Sequence, residues 1–131
     1  MTELTILEEQ VLQKLLCGDD ELLSVLRQQA QQVRVTLRKM TGVGFLTTLE
    51  VPAEAPRVKD RPKFQLGDVN GTADNVKDGL GFLLYVTDGA LSMLEGYTYD
   101  EPWPDEVRGL VLTYSTGQFR RLDLHASNPK Q

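Results

Sequence analysis

Cysteine and histidine each occur once in the 131-residue sequence, as Cys17 and His125. A lone cysteine forms no internal bridge, so nothing ties the chain to an oxidising compartment. One residue of each kind, far apart, does not make a zinc site, which draws on several such ligands. A histidine-based triad has only His125 to use. It stands close to the end of the sequence, a poor place to hold a general base in register. The GxSxG elbow, the P-loop and the dinucleotide fingerprint are missing. Asp68 to Asp74 lacks the full ligand pattern of an EF-hand loop and its closing Glu. No metal, no cofactor and no catalytic residue is therefore expected, and the sequence leans away from an enzyme. No apolar run approaches the ~20 residues that span a bilayer. The start shows no basic stretch followed by an apolar one. The expectation is a cytoplasmic protein without membrane contact.

Positive charge is scarce where negative charge collects. Residues 67–106 hold nine carboxylates against Lys77 alone, a net of −8 in a chain whose total is −5. A nucleic-acid binder needs the opposite sign to neutralise phosphates, so that class is set aside. A cationic partner is steered toward such a segment. Acids placed in loops for solubility are the plainer explanation.

A chain of this length suits one domain, which buries roughly two-thirds of the surface of its unfolded form. Thr5 and Glu8 fit a capping box ahead of Leu7, Val11 and Leu15 at helical spacing. Gly18 ends that helix, and Asp19 or Asp20 caps a second with Leu22, Leu23 and Leu26 on one side. The pair makes a helical hairpin over 1–32. Its second helix carries too little positive charge for a DNA-reading role.

From Val33 the period becomes two. Val33, Val35 and Leu37 alternate with Arg34, Thr36 and Arg38 as in a half-buried strand. A two-residue turn at Thr41-Gly42 does not match the apolar faces of the two strands, so a bulge or longer loop is expected near Gly42 to Gly44. The proline-rich stretch 52–63 is a loop. Phe64 to Val69 forms a strand, and Asn70-Gly71 a turn. Leu80 to Val86 and Ala90 to Glu95 form a hairpin around Asp88-Gly89, a dipeptide suited to a type I′ turn. A strict two-residue loop pairs Val86 with Leu91, Leu84 with Met93 and Phe82 with Glu95. Gly109 to Tyr114 and Phe119 to Leu124 complete the set, and 126–131 is a tail. The fold expected is α+β: the helical hairpin on one face of a mostly antiparallel sheet of six or seven strands spanning 33–125.

The candidate site is the corner that follows this hairpin. With the pairing above, Glu95 shares a side with Phe82, Leu84 and Met93, where a carboxylate needs a partner. The favoured partner is Arg34, Arg38, Arg120 or local backbone N–H. The alternative is a perturbed carboxylate opening onto a cleft between helices and sheet. Tyr97, Tyr99 and Trp103, with Asp100 and Glu101 between them, form an acidic aromatic ledge suited to a partner offering Arg or Lys. Its plainer counterpart is a Trp103 that plugs the end of the core.

In Thr41-Gly42-Val43-Gly44-Phe45 and in Asp88 to Pro104 (DGALSMLEGYTYDEPWP) the chain resembles a widespread family of small uncharacterised bacterial proteins. That family pairs a TGVGF-type segment with a proline-rich loop and a closing LEGYTY-x-x-PWP-type segment. The resemblance covers most of the chain after the helices and implies a bacterial cytoplasmic α+β protein, with no activity attached. The leading expectation is a non-enzymatic protein-binding module that meets a basic protein partner through the corner, as in neutralising a basic toxin. The alternatives are a small enzyme or small-molecule binder with a cleft near Glu95, and a homodimer joined through the corner.

Overall fold

The computed structural model describes residues 3–117 and Arg120. The strand expected at Phe119 to Leu124 lies outside the described residues apart from Arg120, as do His125 and the tail. Among the described residues two helices, α1 (Ile6–Leu15) and α2 (Glu21–Ala30), precede seven strands. These are β1 (Arg34–Met40), β2 (Gly44–Glu50), β3 (Phe64–Leu66), β4 (Val69–Ala73), β5 (Val76–Thr87), β6 (Ala90–Thr98) and β7 (Val111–Tyr114). The sheet runs β1-β2-β6-β5-β4-β7, and β3 joins the same edge of β5 as β4. Every pairing is antiparallel. The α+β architecture expected from the sequence is the one observed.

Both helices start where their caps place them. The Thr5 hydroxyl accepts from the Glu8 amide at 3.1 Å, and the Glu8 carboxylate accepts from the Thr5 amide at 2.8 Å. Asp20 accepts from the Leu22 amide at 2.8 Å. Arg27 donates to the Leu16 and Gly18 carbonyls, covering groups that the end of α1 leaves open. The apolar sides of the helices (Val11, Leu12, Leu15, Leu16, Leu22, Leu23, Leu26) bury against Phe45 and Leu49 of β2, Leu80, Phe82, Leu84 and Val86 of β5, and Leu91 and Leu94 of β6.

Two buried polar side chains fix how the layers sit. The Glu8 carboxylate, 2% exposed, takes two hydrogen bonds from Arg38 of β1, at 2.6 and 2.9 Å, and one from Thr47 of β2 at 2.5 Å. Burial alone would raise its pKa. The hydrogen bonds of Arg38, Thr47 and Thr5 and the charge of Arg38 outweigh burial and hold it below the usual carboxylate value. Gln29 of α2 is fully buried; it donates to the carbonyls of Pro56 and Gly89 and accepts from the Leu91 amide.

Three details differ from the sequence expectation. First, Thr41–Gly44 is the longer loop, one of the two expected forms, closed by Thr41 N–H to the Gly44 carbonyl at 2.9 Å, but β1 carries a further, unexpected bulge between Val35 and Leu37. It turns Leu37 to the opposite face from Val35: Val35 is buried and Leu37 is 61% exposed. Second, Asn70-Gly71 is mid-strand, and the chain turns at Asp74-Asn75. A Cβ on Gly71 would meet Leu110, Phe82 and Leu112 at 3.1–3.4 Å, so this glycine permits packing there. Third, β5 and β6 follow the expected register only through Val86–Leu91. A bulge then shifts it by one, giving Tyr85–Met93, Leu84–Leu94, Leu83–Glu95 and Phe82–Gly96. The Ser92 hydroxyl donates to the Tyr85 carbonyl at 3.0 Å within that bulge.

Candidate functional site

That one-residue shift relocates Glu95. Residues directly across from one another on neighbouring strands share a face. Phe82 and Leu84 point into the core with Gly96 and Leu94, so Glu95 and Met93 point the other way. The row through Glu95 reads Lys39, Leu46, Glu95, Leu83 across β1, β2, β6 and β5. The row below it reads Leu37, Thr48, Met93, Tyr85, Gln65, and the row above it Gly44, Tyr97, Gly81. Both helices lie against the opposite face, as the bonds from Glu8 to Thr47 and from Gln29 to Leu91 require. The long loops are anchored there or at the sheet's end, through Pro56 to Gln29 and Trp103 to Phe45. Among the described residues the Glu95 face has no covering layer.

Its polar groups form a connected set. The Tyr85 hydroxyl donates to Glu95 Oε1 at 2.9 Å. Desolvation, the hydrogen bond to Glu95 and the charge of Glu95 push the Tyr85 phenol up. The Tyr97 ring lies over Gly81, where an added Cβ would stand 2.4 Å from it. Tyr99 packs edge-on against Tyr97, with centroids 5.5 Å apart and planes at 81°. Tyr97 is also pushed up, first by desolvation, then by Tyr99, Glu95 and Tyr85. Glu95, Leu46, Leu83 and Met93 are half-buried, and Tyr99 is 41% exposed.

The corner expected from the sequence thus divides in two. Glu95, Tyr97 and Tyr99 stand together on the open face. Trp103 does not join them: its ring packs edge-on against Phe45 at 5.3 Å, and its amide donates to the Gly42 carbonyl at 2.8 Å. Glu101 accepts from the amides of Lys77 and Asp78 at 3.0 and 3.1 Å, so its charge is spent on the tip of β5. Asp100 is exposed at a left-handed turn position, φ 56°. Two of the three arginines favoured as partners of Glu95 serve elsewhere: Arg38 holds Glu8, and Arg120 makes a two-pronged pair with Asp68 at 2.8 and 2.9 Å. Nor does Glu95 open between helices and sheet, because it faces away from the helices.

Tyr85, Leu46, Leu83, Met93 and Lys39 complete the group and were not singled out from the sequence. Large apolar residues on both sides of β5 and β6 were a signal that could have found them. Two cavities lie elsewhere. One, of about 650 Å³, runs beside α1 and α2 past Leu12, Leu16, Cys17 and Arg27. The other, of about 700 Å³, lies between Arg34, Glu50 and the 51–57 loop. Among the described residues no three His, Cys, Asp or Glu side chains gather as a metal site, and no helix is long and apolar enough to cross a membrane.

Comparison with family models, curated proteins and solved structures finds no match in any of the three. The chemistry therefore rests on the geometry. A half-buried carboxylate and three tyrosines on an uncovered sheet can accept a cation by charge and by ring quadrupole together.

Proposed function

We propose that the protein is a non-enzymatic binding module that engages a positively charged protein partner through the open face of its sheet. One observation carries this reading: Glu95 stands in an apolar and aromatic field and, among the described residues, has a hydrogen-bond partner for only one of its oxygens. The −8 charge of residues 67–106 supports it by drawing cationic partners toward this half of the chain.

The test is fluorescence anisotropy with labelled ten-residue peptides, one rich in Arg and Lys and one its acidic counterpart. The basic peptide binds and the acidic one does not. Tyr97→Ala combined with Glu95→Gln weakens binding at least about tenfold, in line with loss of an aromatic anchor and a charged hydrogen bond. Asp100→Asn leaves it within about twofold. Equal binding of both peptides, or full binding by the double variant, overturns the proposal. So does a monomer–dimer equilibrium in sedimentation that Tyr97→Ala abolishes, since the face then belongs to a second copy of this chain.

A further inference from the structure

We infer that the open face carries a subsite for an arginine guanidinium, centred on Glu95; this rests on the reading of the face as a docking surface. Four side chains ring the carboxylate. Leu46 and Leu83 flank it across the sheet, and Met93 and Tyr97 stand before and after it along β6. Such a ring covers the carbon stem of a long cationic side chain and leaves only its head to be bonded.

The head is selected by what Glu95 still offers. Tyr85 occupies one acceptor position of Oε1. A carboxylate oxygen has two such positions, so among the described residues Oε1 keeps one and Oε2 keeps both. Two parallel N–H donors therefore fit, and this is the fork that guanidinium presents and ammonium does not. Tyr85 also fixes the carboxylate's orientation, so the fork meets an acceptor already held in place. The Tyr97 ring, close over Gly81, adds a surface on which a planar cation stacks.

The sheet supplies no described cation to fill the subsite. Lys39 is nearest in position, in the same row but two strands away, roughly 10 Å at the usual strand spacing. It forms no ion pair among the described residues. A lysine there competes for Glu95 when its side chain swings across, so its removal sharpens the subsite.

The experiment is an NMR titration of the whole chain, following the methyl signals of Leu46, Leu83 and Met93. The probes are the N-acetyl methylamides of arginine, lysine and citrulline. The arginine probe shifts these methyls at a concentration at least about fivefold below that for lysine, and citrulline, its uncharged isostere, leaves them unmoved. Glu95→Gln abolishes the difference between arginine and lysine. Lys39→Met lowers the arginine concentration needed. Equal response to lysine and arginine, or a preference that survives Glu95→Gln, overturns the arginine subsite. The basic-peptide result then decides the broader reading separately: peptide binding without arginine preference removes only the subsite, and absence of both removes the docking surface with it.

Discussion

Glu8 and Glu95 are the same side chain on opposite faces of one sheet, and their surroundings have little in common. Glu8, brought in by α1, is closed off: Arg38, Thr47 and Thr5 together supply its hydrogen bonds. Glu95, among the described residues, holds one phenol and nothing else. Among the described residues no buried side-chain nitrogen or oxygen lacks a partner. Capacity for a new ligand is thus found on the open face. Polar groups under the helices stabilise a particular docking of layers, whereas the group on the bare face closes no such network among the described residues.

The largest test of that contrast is deletion of each carboxylate. Glu8→Ala leaves Arg38 without its counter-ion and removes the reciprocal cap of α1, so urea unfolding is expected to show a loss of about 3 kcal/mol. Glu95→Ala is expected to stay within about 0.5 kcal/mol, because no network closes around it. Equal losses would erase the distinction between the faces. Acid should separate them again. The folded-state pKa of Glu8 is lowered from its ordinary 4.5, so its contribution is present above that value and disappears as pH falls through the lower folded value. Stability is expected to drop below about pH 4.5, and Glu8→Gln flattens that limb of the curve.

A smaller effect is expected at Gly81. A methyl there collides with the Tyr97 ring, so Gly81→Ala displaces the ring at a loss of about 1 kcal/mol. Aromatic NMR signals of Tyr97 move while those of Trp103 do not. Smallest is the titration of Tyr85, followed by absorbance at alkaline pH. Burial raises its pKa first and Glu95 adds to it. Glu95→Gln is expected to bring it part of the way back, leaving the burial share.

Local chemistry made much of the fold legible. The Thr5/Glu8 box, the Asp20 cap and the 3.6-residue stripe placed both helices, and Asp88-Gly89 placed the hairpin turn, with both residues at positive φ (54° and 75°). The site was legible only in part. Ser92 looks like any strand residue, yet a bulge there sends Glu95 to the other face. What selects the shifted register is distant: Leu94 goes inward against Leu84, and Gly96 leaves room for the Phe45 ring, which an added Cβ would meet at 2.4 Å. A one-residue slip inverts a strand, so an error at one serine moved the whole candidate group. The grouping of Trp103 and Glu101 with the tyrosines failed for another reason. Their neighbours in space, Phe45 and the amides of Lys77 and Asp78, are remote in sequence, and composition cannot show which acids backbone amides have claimed.

Gln29 ties together distant parts of the chain. Its side chain grips Gly89 and Leu91, 60 and 62 residues farther along the chain. The second helix therefore has no finished seat until the β5–β6 turn exists, and the turn's Leu91 amide has no acceptor until the helix arrives. Seating of the helix and closing of the turn are thus coupled through one amide group. Isotope exchange at Leu91 reports the moment they lock.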